Sequence, residues 1–345
     1  MQRRPMLVTL IVAAFLLASC GSEGTPGTDA PGSPDGDDPE PTSQPAEETR
    51  QFSVVSNSGG VTEYPMLATI DQLNSEGWDI SFYQITAGAD VAADGVARGD
   101  FATGSGAINV YLAAIQAGAP IEIVAARNVN AWYLYARHSI ETCEDLEGVR
   151  LAIHSEASSS TALVRQYIAE NCPGTEPNYI VIAGSENRFA ALIADEVDAS
   201  PVEVFDGIAL DREASDRFYP MVNFAEALPD LYTNSQVFNA DFADANPTTV
   251  TEFLAALLAQ YRMIEGNPDY FRELDETYTE AEPLDDDYLE FYADGFYPID
   301  GGLTEEGLQY IIEYFETQGS IEPGLTVEEA ADLSYLEAAN AALDD

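Results

Sequence analysis

From Gln51 onward the chain sets short runs rich in Val, Ile, Phe and Tyr between longer stretches of helical periodicity, and it does so in two successive sets. Phe52 to Ser56 reads as a strand, closed by the loop Asn57-Ser58-Gly59-Gly60 and followed by a helix near Pro65, where proline suits a first turn. Ile80 to Tyr83 reads as a second strand and Phe101 to Thr103 as a short third. The Gly104-Ser105-Gly106 loop, the helix Ala107 to Ala117 and the buried apolar run Ile121 to Ala126 complete the first set. In the second set, Val149 to His154, Tyr179 to Ile182 and Val197 to Pro201 read as strands, separated by helices over Ser158 to Asn171 and Glu186 to Glu196. This alternation predicts an α/β class with mostly parallel sheets and crossover helices, and its repetition predicts two similar lobes. Beyond Phe238 only helical spacing remains: Val250, Phe253, Leu254, Leu257, Leu258 and Tyr261 form one apolar stripe, and Leu308, Ile311, Ile312 and Phe315 another. These stripes are core faces and carry no chemistry.

The surface such a fold presents is strongly acidic. Against 61 Asp and Glu stand 13 basic residues, every one of them Arg, giving a net charge of -48 over 345 residues. A polyanionic partner such as nucleic acid is excluded by repulsion. With 46% hydrophobic residues the chain still builds a core, so the acidity belongs to the surface. Such a surface suits a saline medium, where salt screens its self-repulsion, and it equally suits an acidic extracytoplasmic protein.

The N-terminus predicts export. Arg3 and Arg4 precede an apolar run from Met6 to Ala18, ~13 residues and too short to span a bilayer as a helix. Leu17-Ala18-Ser19-Cys20 resembles a bacterial lipobox, so residues 1–19 read as a signal peptide and Cys20 as the lipidated new N-terminus. The adjacent arginines leave both the general and the twin-arginine export routes open. Residues 20–50 then form a disordered acidic tether of Gly, Pro, Ser, Thr, Asp and Glu. Lipidation of Cys20 leaves Cys143 and Cys172, either as buried thiols or as one disulfide. The first precedes a strand and the second ends the helix after it, so a disulfide at that edge is expected.

Several segments together resemble one family, the NMT1/THI5-like periplasmic binding proteins for nitrate, sulfonates, taurine and thiamine-pyrimidine precursors. They are Gly99 to Gly106 (GDFATGSG), Ala117-Gly118-Ala119-Pro120 before the run Ile121 to Ala126, Glu144 to Arg150 (EDLEGVR), Glu196-Val197-Asp198-Ala199, Asn246-Pro247 to Tyr261, and Gln318 to Ile321. Glu196 stands where the family pattern has Gly. The resemblance implies a type II periplasmic binding protein fold, with two α/β lobes and a ligand cleft between them. It divides the folded part into a first lobe over 51–130, a second over 131–230, and a return to the first lobe with C-terminal helices over 231–345. It also implies a monomeric lipoprotein that hands a small molecule to an ABC permease in the membrane, without a cofactor. A few fungal relatives are pyrimidine synthases that hold pyridoxal phosphate on a lysine, and this chain has none.

Catalytic groups are scarce: the only histidines are His138 and His154, no His/Cys metal spacing occurs, and Thr103-Gly104-Ser105-Gly106-Ala107 has the wrong register for a hydrolase elbow. Asp285-Asp286-Asp287 reads as a solvated helix start. Binding groups are better supplied at the ends of strands. Ser155, Ser158, Ser159, Ser160 and Thr161 sit between a strand and a helix, where hydroxyls and first-turn N–H groups suit an oxyanion or carbonyl; ordinary N-capping is the plainer reading. Ser105 and Gly106 offer the same geometry from the first lobe, and Ser56, Asn57 and Ser58 a third polar loop. Asn130 and Trp132 follow the buried run, with Trp132 either stacking on a flat ligand or filling core. Arg127 and Arg188 are anion partners or balance nearby carboxylates, and Glu203 suits a cationic or N–H-bearing group. The residues leave an anionic and a pyrimidine-like ligand equally open. An enzyme or ligand sensor on the same scaffold is the alternative function.

Overall fold

The computed structural model of the chain describes residues 48–344 apart from 58, 86, 87, 157, 280 and 281, so the leader, Cys20, most of the tether and Ser58 lie outside the described residues. Among the described residues ten strands form two five-stranded sheets within one compact unit. The first sheet contains β1 (Gln51–Ser56), β2 (Asp79–Gln84), β3 (Thr103–Ala107), β4 (Ile121–Asn128) and β10 (Asn234–Asn239). The second contains β5 (Trp132–Arg137), β6 (Arg150–Ile153), β7 (Asn178–Val181), β8 (Ala199–Glu203) and β9 (Phe218–Asn223). Their orders, β2-β1-β3-β10-β4 and β7-β6-β8-β5-β9, follow one plan.

In each sheet four strands run one way and one runs against them. The reversed strand is the one that arrives from the other lobe: β10 pairs antiparallel with β3 and β4, and β5 antiparallel with β8 and β9. The chain therefore crosses twice, at Val129 to Ala131 and between Phe224 and Thr233. The carboxyl ends of the forward strands in both sheets lie beside the crossovers, which is where open α/β sheets place their ligands.

The third strand differs from the sequence expectation. Gly104, Ser105 and Gly106 form the strand β3 itself, where a loop was expected, because β3 is flanked on both sides and its glycines make room. A Cβ on Gly104 would press on Val55, Val96 and Tyr111, and one on Gly106 would collide with the Asn57 side chain. Ser105 pairs with Ser56 of β1 and Gln236 of β10, so a polar row crosses the middle of the sheet.

The C-terminal helices cover the first sheet. Val250, Phe253, Leu254, Leu257, Leu258 and Tyr261 on the helix Pro247–Ile264 are fully buried, as are Leu308, Ile311, Ile312 and Phe315 on the helix Glu305–Thr317. Burying a side chain of that size stabilises by roughly 1.5–3 kcal/mol. In the second lobe Cys143 and Cys172 are joined, their Cα atoms 5.7 Å apart across the mouth of the unit containing β6 and the helix Ser159–Asn171.

Candidate functional site

Where the two sheets meet, a cavity of about 20 Å³ is lined by Thr62, Glu63, Ser105, Gly106, Arg127, Asn128 and Asn234 from the first lobe and by Glu203 from the second. That volume admits a water molecule or two, so the lobes are tightly apposed here. Arg127 ends in a buried ion pair: its Nη2 donates to Glu63 Oε2 at 3.0 Å, and both side chains are 4% exposed. Arg127 therefore balances a carboxylate, one of the two roles open to it on sequence. Glu63, Thr62 and Asn234 carry no sequence signal: the first two sit in a turn ahead of a helix, and the last opens a strand too polar to be read as one.

Several buried polar atoms in this region have no hydrogen-bond partner. They are Asn57 Oδ1, Ser105 Oγ, Thr233 Oγ1 and Ser235 Oγ in the first lobe, Asn130 Nδ2 in the crossover, and Arg188 Nη2 in the second lobe. Leaving such a group unpaired costs about 1–3 kcal/mol, so a concentration of them at the strand ends marks a place built to meet polar atoms from elsewhere. A larger depression of about 460 Å³ opens at the other end of the first sheet, around Phe52, Asp79, Asp100 and Phe242. None of its lining residues holds an orphaned buried atom, and it lies at the end of the strands away from the crossovers.

Arg188 is the outstanding group of the second lobe. It is fully buried on the helix Ser185–Ile193, its Nε donates to the Pro201 carbonyl at 2.8 Å, and its Nη1 donates to the carbonyls of Gly184 at 3.0 Å and Ile182 at 3.2 Å. Its guanidinium lies 5.6 Å from the Trp132 ring. Among the described residues it is the one arginine without a carboxylate within ion-pair distance. Burial pulls it down to about 10, against Asp206, Glu186 and Glu203, whose charges act the other way.

Glu203 ends β8 directly opposite Trp132 in register, and its backbone N–H donates to Ser185 Oγ at 2.8 Å. Burial pushes its carboxyl up to about 7, with the Asp206 charge adding and the Arg188 charge opposing. His154, whose Nδ1 accepts from the Gly184 N–H at 3.1 Å, is pulled down by burial and by Arg188.

The other sequence candidates fall into three groups. Ser56 is buried at the end of β1, and the Asn57 N–H donates to the Ser105 carbonyl at 3.3 Å, which draws that loop against β3. Asn130 Oδ1 accepts from the Trp132 N–H at 3.2 Å, holding the crossover in shape. Ser155, Ser158, Ser159, Ser160 and Thr161 lie beyond the end of β6 and do not line the cavity. Ser158 caps the helix, sharing a hydrogen bond of 2.8 Å with the Thr161 hydroxyl and accepting the Thr161 N–H at 3.4 Å, while Ser160 and Thr161 are buried. Ser159 is half-buried in the first turn. Among the described residues no group of His, Cys, Asp and Glu is arranged to hold a metal ion.

The sequence matches the family described as NMT1/THI5 like over residues 73–270, more than half of the chain. The chain belongs to the NMT1/THI5-like family. No curated protein matches this member of it. Its fold is that of the periplasmic binding proteins. The nitrate-binding protein NrtA of Synechocystis superposes with a TM-score of 0.65 at 13% identity, covering 86% of this chain and 90% of that one. The alkanesulfonate-binding protein SsuA of Xanthomonas axonopodis, bound to MOPS, gives 0.64 at 16% identity, covering 83% and 99%. The desulfurization enzyme DSZB gives 0.60 at 12%, covering 85% and 99%, so the NMT1/THI5-like scaffold is shared by binders and by an enzyme.

Proposed function

We propose that this chain is the extracytoplasmic solute-binding lipoprotein of an ABC importer, and that it closes its lobes around a small organic molecule bearing an anionic group. In this reading residues 1–19 are the leader, Cys20 carries the lipid, and a tether to about residue 50 holds a monomeric two-lobe body near the permease. The lobes are 51–130 with 231–345, and 131–230.

Arg188 carries the ligand assignment. A buried guanidinium with an unpartnered Nη2 and no carboxylate partner is unusual in a chain of net charge -48, and an incoming oxyanion satisfies both its charge and the two N–H groups of Nη2. Ser105, Ser235 and Asn130 supply further donors for the same oxyanion or for polar atoms beside it. Nitrate and alkanesulfonates, named for two structural neighbours, are anions, which supports an anionic ligand over a pyrimidine-like one. Because DSZB shares the fold, the choice of binder over enzyme rests on this site and not on the scaffold.

The cavity of about 20 Å³ is smaller than any such ligand, so entry requires the lobes to part and capture requires them to close again. Groups on both lobes let one ligand favour the closed form, since only a two-sided site gives it a differential affinity. Mass spectrometry of the small molecule released from exported, denatured protein tests the reading. An acidic compound is expected, and a ligand without an acidic group overturns the assignment. Cys20→Ala protein should leave the membrane fraction; firm retention there refutes the lipid anchor.

A further inference from the structure

We infer that Arg212 and the acidic turn before the helix Asp286–Ala293 form a latch between the lobes that sets how far the cleft stands open. Arg212 lies on the helix Val204–Ala214, which follows β8 directly and so moves with the second lobe. The helix Asp286–Ala293 belongs to the layer that covers the first sheet, packed on the helix Pro268–Tyr278. Across that boundary Arg212 Nη1 meets Asp285 Oδ2 at 2.8 Å and its Nε meets Asp287 Oδ2 at 3.0 Å. Its guanidinium also sits 5.2 Å from the Tyr288 ring, and Phe205 packs on the other lobe's Tyr288 with ring centroids 4.7 Å apart.

The partition of the acidic run is specific. Asp286 turns back to Arg272 of its own lobe at 2.8 Å, leaving Asp285 and Asp287 for Arg212. Among the described residues Arg212 is the one arginine whose carboxylate partners lie in the other lobe. Opening about the two crossovers separates the helix of Arg212 from the helix of Tyr288, whereas the ion pairs within each lobe travel with it. The latch is therefore lost in the open form and biases the equilibrium toward closure.

Its strength is modest and salt-dependent. The Arg212, Asp285 and Asp287 side chains are 42%, 66% and 46% exposed, so the ion pairs are screened, while the Phe205–Tyr288 contact is not. Removing the charge of Arg212 should raise the open fraction by about three- to tenfold, the range expected for two exposed ion pairs and one cation–π contact.

Small-angle scattering and acrylamide quenching of tryptophan on the exported protein, without ligand, read that fraction directly. Trp132 lies at the crossover, and the second tryptophan, Trp78, stays buried against Phe52. At about 50 mM salt, Arg212→Gln and, more strongly, Arg212→Glu should enlarge the radius of gyration and increase quenching. Adding Asp285→Arg to Arg212→Glu should restore wild-type values. Position 285 suits the reversal because Asp285 makes no capping hydrogen bond at that helix start. Arg212→Gln protein that matches wild type in both measurements, or a charge reversal that leaves the Arg212→Glu values unchanged, overturns the latch. Because no ligand enters the test, its failure leaves the transport reading untouched.

Discussion

The guanidinium of Arg188 lies 5.6 Å from the ring of Trp132, so the one arginine without an ion-pair partner among the described residues packs on the aromatic that stands opposite Glu203 in the second sheet. Charge-assisted hydrogen bonds to an oxyanion contribute about 1.5–3 kcal/mol each, so Arg188→Gln should weaken ligand affinity by roughly ten- to a hundredfold. Titration calorimetry with the compound identified by mass spectrometry measures this. A melting curve on the same variant separates lost affinity from lost packing against Pro201 and Gly184.

Binding should strengthen as the medium becomes mildly acidic. The Glu203 carboxyl, pushed up to about 7, loses its proton near neutrality, and its negative charge then opposes an anion held at Arg188. The folded pKa is raised, so the protonated, permissive form prevails below 7 and disappears as pH rises through it. Affinity should fall from pH 6 to pH 8 in wild type and stay flat in Glu203→Gln, which keeps a neutral donor at all pH values. A Glu203→Gln profile that slopes like wild type would show that another group sets the dependence.

Salt should stabilise the folded body. Lowering ionic strength from physiological to 0.01 M lengthens the screening distance from about 8 Å to about 30 Å and lets the surface carboxylates repel one another more strongly. The melting temperature should therefore rise with added sodium chloride, and a flat response over that range would contradict the charge argument.

The Cys143–Cys172 bond closes a loop with a sequence separation of 29 residues. In the chain-entropy model such a loop stabilises by about 3–4 kcal/mol. Replacing both cysteines by serine should lower the melting temperature by several degrees, with little change in ligand affinity because the pair stands at the edge of the second lobe. Two alkylatable thiols in non-reduced exported protein would refute the bond.

Much of the fold was legible because its signals are local. The apolar stripes of the long C-terminal helices and the strands β1, β2, β6 and β7 follow from periodicity and β-branched or aromatic content. Strand β10 was not read, because Asn-Ser-Gln-Val-Phe-Asn has the composition of a loop and becomes a strand only between two partners that satisfy its backbone. Strand β3 has the sequence of a loop for a related reason, its glycines being there for close packing and not for turning. At the site, Glu203 is legible from its place at the end of β8, whereas Ser105 lines the cavity from the middle of β3 and not from the loop its glycine neighbours suggest. The pairing of Arg127 with Glu63, and the isolation of Arg188, are relationships between distant residues that no local pattern encodes.

The exchange of strands between the lobes also fixes the order in which the molecule can be completed. β4 has no neighbour in its sheet except β10, and β10 is made only after the whole second sheet has been synthesised. The first lobe is thus begun first and finished last, with the edges of β3 and β4 bare in the interval. That interval lasts at least from the end of β4 at Asn128 to the end of β10 at Asn239, and through it the backbone groups of β3 and β4 that β10 will pair with have no partner from their own sheet.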